Sequence, residues 1–292
     1  MNDQPYEKLN IQWYPGHMTK ARRMIEEHVS MVDAVCEILD ARIPRASRNP
    51  DIQAIAGEKP RLVILNRCDL ADAAVTAEWK SAFEAEGLSV MVTDAKSGKG
   101  VSGFSSEVRK LLADKISLYE SKGQTGRPLR CVILGIPNVG KSTFINKAAG
   151  RKAALAGDRP GVTRGKQWIS LPNGIELLDT PGILWPRFES QEVGELLAIT
   201  GAIKTEVFDT EALASNLMLR LKAMYPDALR ARYKLEPQPE ATGYELLEAA
   251  ARKRGFLVSG GEADTGRMAI TLLRELHEGK LGRLSLERPD TK

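Results

Sequence analysis

The octapeptide Gly135-Ile-Pro-Asn-Val-Gly-Lys-Ser142 lies between the apolar run Leu129–Leu134 and the helix-compatible stretch Thr143–Ala149. Glycines at its first and sixth positions, followed by Lys and Ser, suit a strand that turns at once into a helix. In that setting consecutive backbone N–H groups face inward and the helix N-terminus adds partial positive charge, so the loop can cradle phosphates. Lys141 would reach the terminal phosphates and Ser142 would offer a hydroxyl to Mg2+. Such a loop commits its surroundings to a layer of strands and helices, and the first 186 residues agree. Ala34–Asp40, Arg61–Asn66, Ser89–Thr93, Leu129–Leu134, Gln167–Leu171 and Ile175–Leu178 read as short strands. Helix-compatible Val75–Glu86, Val101–Leu118 and Ser142–Ala149 lie among them. The alternation predicts an α/β fold with a mostly parallel sheet flanked by helices.

After Trp185-Pro186 the pattern changes. Apolar residues recur at helical spacing, as in Val193, Leu196, Leu197 and Leu213, Leu217, Leu221, and strand signals fade. An all-helical domain is predicted there. A length of 292 residues against about 150 per domain supports two domains. The expected boundaries are 1–186, 187–286 and a solvated tail at 287–292. Arg220, Lys222, Arg230, Arg232 and Lys234 form a basic stretch in the second domain, opposed locally only by Asp227. With a second cluster at Arg252-Lys253-Arg254, they are candidates for RNA phosphates, or else a solvated helix face.

Composition excludes several classes. With 42% apolar and 27% charged residues the chain is neither disordered nor collagen-like. Cys36, Cys68 and Cys131 never form a C-x-x-C pair and the three histidines do not cluster, which argues against a zinc site or a disulfide framework. No apolar run approaches a membrane span, and Met1–Asn10 has no apolar core of the secretory kind. The expectation is a cytoplasmic protein without membrane contact. A net charge of +4 permits nucleic acid and proves nothing.

Four further segments fit the phosphate loop. Asp179-Thr-Pro-Gly182 follows a strand, where the Asp can hold magnesium and the Gly182 N–H can meet a γ-phosphate. The same tetrapeptide is also a good turn. Between them Ala156–Gly165 offers Thr163 as a second magnesium hydroxyl. Asn66-Arg67-Cys68-Asp69 ends another strand, and a carboxylate at Asp69 can accept two hydrogen bonds from guanine N1–H and N2–H2. Asp94-Ala95-Lys96 follows the next strand, where a backbone N–H could reach guanine O6. Singly, such segments are also ordinary helix starts, because Asp caps helices well. The candidate nucleotide contacts are therefore Asn66, Arg67, Cys68, Asp69, Asp94, Ala95, Lys96, Asn138, Val139, Gly140, Lys141, Ser142, Thr143, Thr163 and Gly182. The candidate metal ligands are Ser142, Thr163 and Asp179.

Together these motifs resemble those of the translation-factor-like GTPases in rotated order, with the base-reading segments ahead of the phosphate loop. The chain is similar over nearly its whole length to the circularly permuted GTPases of the ribosome biogenesis GTPase A family. The resemblance extends to Gln12-Trp-Tyr-Pro-Gly-His-Met18, Asp40-Ala-Arg-Ile-Pro-Arg-Ala-Ser-Arg-Asn-Pro50 and Gly279-Lys-Leu-Gly-Arg283. Two departures stand out: Arg67 replaces the usual Lys of N-K-x-D, and Asp94 replaces the usual Ser of S-A-K. Ile183 follows Gly182 where many GTPases carry a water-orienting Gln. The resemblance implies that His17 handles the water, unless that segment is only an aromatic turn, and that Asn138 helps bind K+. It also implies GTP hydrolysis with Mg2+ during late maturation of the large ribosomal subunit. The expected partner is a large-subunit precursor, met by a protein that is monomeric away from the particle. Two other readings stay open: a GTP-gated module for a protein or membrane partner, and a phosphate-loop enzyme that transfers phosphate.

Overall fold

The computed structural model describes residues 16–153, 167–180, 182, 184, 190–203 and 209–290. Among these, contacts cluster into two compact units, drawn from Trp13–Arg187 with Glu287–Lys292 and from Phe188–Leu286.

The first unit is built on a six-stranded sheet in the order β3-β2-β1-β4-β6-β5. Its strands are β1 (Ala34–Asp40), β2 (Arg61–Asn66), β3 (Ser89–Val92), β4 (Leu129–Leu134), β5 (Gln167–Leu171) and β6 (Ile175–Asp179). All neighbouring pairs are parallel except β5 with β6, which is antiparallel. Pro172, Asn173 and Gly174 close that hairpin between the paired Leu171 and Ile175, with Asn173 and Gly174 at positive φ. β1 is buried at every position, as expected for a parallel strand covered on both faces.

Val35, Leu39, Val63, Leu65 and Val132 share one face of the sheet by register. Three helices cover it: α1 (Gly16–Ser30), α2 (Pro50–Ala56) and α3 (Ala73–Ala85). Ile25 and Val29 of α1, Ile52 of α2 and Val75, Trp79 and Phe83 of α3 complete its two apolar clusters. Cys36, Ile38 and Ile133 point to the opposite face. On that side α4 (Phe104–Leu111) and α6 (Lys141–Ala149) meet through an edge-to-face contact of Phe104 and Phe144.

Two expectations need correcting here. The single helix expected over Val101–Leu118 is a 3-10 turn (Val101–Gly103), α4 and α5 (Ala113–Ser121). The break falls at Leu112, whose φ of −106° and ψ of 18° leave the helical region while its side chain stays buried. The expected solvated tail also docks. Glu287 accepts hydrogen bonds from the backbone N–H groups of Arg45 (2.8 Å) and Ala46 (2.9 Å). Its own carbonyl accepts from the Trp79 indole (3.3 Å), and Asp290 pairs with Arg45 (2.8 Å).

The second unit consists of α7 (Gln191–Ile199), α8 (Thr210–Met224), α9 (Pro226–Tyr233), α10 (Gly243–Lys253) and α11 (Thr265–His277). α8 packs on both α10 and α11 around buried Leu217, Leu221, Leu247 and Leu272. Thr242 and Glu245 form a reciprocal cap at the start of α10, satisfying two backbone donors at once.

Candidate nucleotide site

From β1 the chain lays β2 and β3 to one side, then returns to place β4, β6 and β5 on the other. Crevices in open α/β sheets form at the carboxyl ends of strands where the order reverses in this way. The segments that follow β1, β2, β3, β4 and β6 all emerge at that edge, because these five strands are parallel. They are the Asp40–Pro50 loop, Asn66–Asp69, Asp94–Lys96, the phosphate loop and Asp179–Gly182.

Asn66 ties three of them together. Its amide nitrogen donates to the Val139 carbonyl (2.7 Å), while its oxygen accepts from Thr93 Oγ1 (3.1 Å) and the Ala95 N–H (3.0 Å). Gly140, at φ 96°, is required beside it, since a Cβ there would stand 2.5 Å from the Asn66 amide nitrogen. Arg67 holds a left-handed backbone (φ 62°) and donates to the Asn138 carbonyl (2.5 Å). Its other terminal nitrogen lies 3.6 Å from Asp40 Oδ2. Cys68 donates its N–H to the Thr93 carbonyl. Asp69 is half-buried, and its carboxylate has no hydrogen-bond partner among the described residues.

Asp94 organises the loop that follows β3. Its carboxylate accepts from the N–H groups of Lys96 (2.9 Å) and Ser97 (3.2 Å). With Ala95 bound to Asn66, the amides expected to face guanine O6 already sit on protein acceptors. A carboxylate draws neighbouring amides inward more strongly than the usual serine hydroxyl does.

Lys141 is buried at the first turn of α6, and its ammonium donates to the carbonyls of Gly135 (3.0 Å) and Ile136 (2.7 Å). Burial pushes its pKa down to about 8, with the Asp179 charge opposing. Burial likewise raises the Asp179 carboxyl, against the pull of Lys141. Both Asp179 oxygens are buried, with no hydrogen-bond partner for either among the described residues. An orphaned carboxylate so close to the phosphate loop fits a hard cation such as Mg2+, with half-buried Ser142 as the second ligand. Gly182 approaches the loop so closely that a Cβ would lie 2.7 Å from Pro137 Cα and 2.9 Å from Lys141 Nζ. Asn138 and Thr143 are exposed on its outer rim, whereas Val139 is buried. Thr163, Ile183 and the side chain of His17 lie outside the described residues; the backbone of His17 belongs to the first turn of α1.

Nothing in the sequence pointed to a nucleotide-site role for Asp40 or Arg42; Arg42, with Arg45 and Arg48, was only an alternative RNA-contact candidate. Arg42 donates to Asp40 from its backbone N–H (3.0 Å), Nε (2.9 Å) and Nη2 (2.7 Å), and both residues are buried. An Asp closing a buried strand was the available signal.

Most side chains of the basic stretch in the second unit make contacts within that unit. Arg220 is buried and pairs with Glu192 (3.0 Å). Lys222 caps the carbonyls of Pro239 and Ala241. Arg232, Tyr233 and Arg254 converge on buried Glu275. Arg230 lies at the surface between Asp227 and Glu236. Lys234 is exposed, and no hydrogen bond or ion pair of its side chain occurs among the described residues. The charges along the sequence gave no sign of these partners, because Glu275 lies 43 residues beyond Arg232.

A phosphate loop at the switch point of a mostly parallel sheet, joined by Asn66 to the segments after β2 and β3, defines a P-loop GTPase. The family described as 50S ribosome-binding GTPase matches residues 130–220. Ribosome biogenesis GTPase A of Priestia megaterium is 45% identical over 282 residues, spanning 96% of this chain and 98% of that protein. A GDP-bound YlqF structure superposes with a TM-score of 0.64 at 30% identity, covering 92% of this chain and 100% of that one. GNP-bound YlqF from T. maritima gives 0.61 at 30% identity, covering 94% and 100%. The chain belongs to the ribosome biogenesis GTPase A family. No helix among the described residues is long and apolar enough to cross a membrane.

Proposed function

We propose that this GTPase hydrolyses GTP to GDP and phosphate while acting on a precursor of the large ribosomal subunit late in its maturation. The observation that carries the reading is the similarity to ribosome biogenesis GTPase A over nearly the whole of both chains. The three-way bracing by Asn66 supports it, tying the segment that carries Asp69 to the phosphate loop and to the segment after β3. The phosphate loop and Lys141 would hold the phosphates, and the Asp69 carboxylate would accept from guanine N1–H and N2–H2. For O6 the Ala95 N–H would be shared between Asn66 and the base. Ser142, Asp179 and Thr163 would hold Mg2+, which supplies charge neutralisation at the phosphates. K+ beside Asn138 would add to the same charge, and comparing turnover in K+ and Na+ decides that point. We assign the water to His17. His17→Ala should then remove most of the particle-stimulated rate, about 10²–10⁴-fold, with particle binding unchanged. Away from the particle the protein acts as a monomer in the cytoplasm.

The test of guanine recognition is Asp69→Asn. GTP binding should fall at least about 100-fold while xanthosine triphosphate binding rises, because a site built around a hydrogen-bonding group discriminates strongly against its mismatch. Equal affinities of the unaltered protein for GTP and ATP would overturn the assignment.

A further inference from the structure

The docked tail and the buried Asp40–Arg42 pair belong to one continuous set of contacts that ends on the phosphate loop. Glu287 fixes the backbone of Arg45 and Ala46 through both oxygens of its carboxylate. Those two residues sit within a tight turn closed by the Ser47 N–H on the Ile43 carbonyl and the Ile43 N–H on the Asp40 carbonyl. Ser47 Oγ in turn accepts the Asp40 N–H (3.0 Å), and Arg42 grips the Asp40 carboxylate through three donors. Asp40 Oδ2 faces one terminal nitrogen of Arg67, and the other holds the Asn138 carbonyl.

We propose that Glu287 and Asp40 are positioning residues for the bound guanine nucleotide, acting through Arg67. The reading rests on the assignment of the site to a guanine nucleotide. An Arg in this place has two edges to satisfy where a Lys presents a single point charge. One edge is taken by the phosphate loop and the other leans on Asp40, so the guanidinium plane is held in a fixed orientation. A left-handed, non-glycine backbone at Arg67 persists only where its surroundings hold it. The tail reaches this arrangement from 242 residues away in sequence, by pinning the turn that presents Arg42 and Asp40. It thereby sets how long a nucleotide stays bound.

The experiment follows release of fluorescently labelled GDP from the full-length protein, with amide exchange of the Arg45–Ala46 segment as a second readout. In Glu287→Ala the two amides should exchange faster and GDP should leave about 3- to 10-fold sooner, the range for the loss of one hydrogen bond of ordinary strength felt through an intermediate. Arg67→Lys should also speed release, and adding Glu287→Ala to it should change release no further. Arg288→Ala, whose side chain pairs with Glu78 among the described residues, serves as a control expected to release GDP at the normal rate. Unchanged amide exchange in Glu287→Ala overturns the pinning, and faster exchange with unchanged release overturns the coupling. Equal acceleration by Glu287→Ala with and without Arg67→Lys overturns the route through Arg67. Failure of the unaltered protein to prefer GDP over ADP in the same assay would instead count against the nucleotide assignment.

Discussion

Lys141 sits buried with its ammonium on two carbonyls of its own loop, and its pKa of about 8 records what burial costs the charged form. A phosphate beside it favours the charged form and raises that value. Nucleotide binding should therefore take up protons near and above pH 8 and none near pH 6, where Lys141 is already charged. Calorimetric titrations with GDP in two buffers of different ionisation enthalpy should show roughly half a proton absorbed at pH 8. Affinity should weaken as pH rises through 8. Uptake that is absent at pH 8 would mean that Lys141 keeps its proton in the free protein. At the same scale, the phosphate loop was legible from sequence because its chemistry is local. Asp40 and Arg42 were not, since nothing in Asp40-Ala-Arg42 indicates that both side chains are buried against each other.

Among the elements, the six strands were readable because continuous apolar runs leave few alternatives to a doubly covered strand. α1 escaped notice under its charged sequence, and α2 because seven residues are too few for a helical period to register. In the second unit, the convergence of α9, α10 and α11 on Glu275 is an element-level device. Burial would raise the Glu275 carboxyl, but hydrogen bonds from Arg232 and Tyr233 and the Arg254 charge hold it below its ordinary value. A depressed acid stabilises the fold above its unfolded value and loses that contribution as pH falls through the folded one. Glu275→Gln should lower stability by about 2 kcal/mol at pH 7, discounted from a fully buried pair because both arginines are part-exposed. The deficit should shrink as the pH is lowered toward 3. Chemical denaturation at both pH values checks this, and a deficit independent of pH would assign the loss to packing alone.

For the molecule as a whole, most of the basic run that stands out in the sequence is not free to meet phosphates. Arg220 and Arg232 are spent on carboxylates, whereas Lys234 and Lys253 are exposed and their side chains have no such partner among the described residues. Combined Lys234→Ala and Lys253→Ala substitution should leave GTP affinity unchanged and weaken co-sedimentation with large-subunit precursors. If both lysines meet phosphates, the slope of log affinity against log salt should flatten by about two. An unchanged slope would place the RNA surface elsewhere. Binding that depends on GTP but not on any subunit would favour a module for another partner. The two-unit division was readable from the change of period after Trp185, but the return of Glu287 to the first unit was not. A single carboxylate bound to two backbone amides leaves no periodic trace.

The place of β1 in the sheet has a consequence for how the chain is made. β1 is central, yet its partner β4 begins only at Leu129. During synthesis β1, β2 and β3 emerge first and can pair in register, which leaves the apolar edge of β1 open until the later strand arrives. An open strand edge is a template for pairing with other chains. The half that would read the base is thus complete before the half that would hold phosphate exists, and a nascent chain stalled before Leu129 is the form of this molecule most exposed to aggregation.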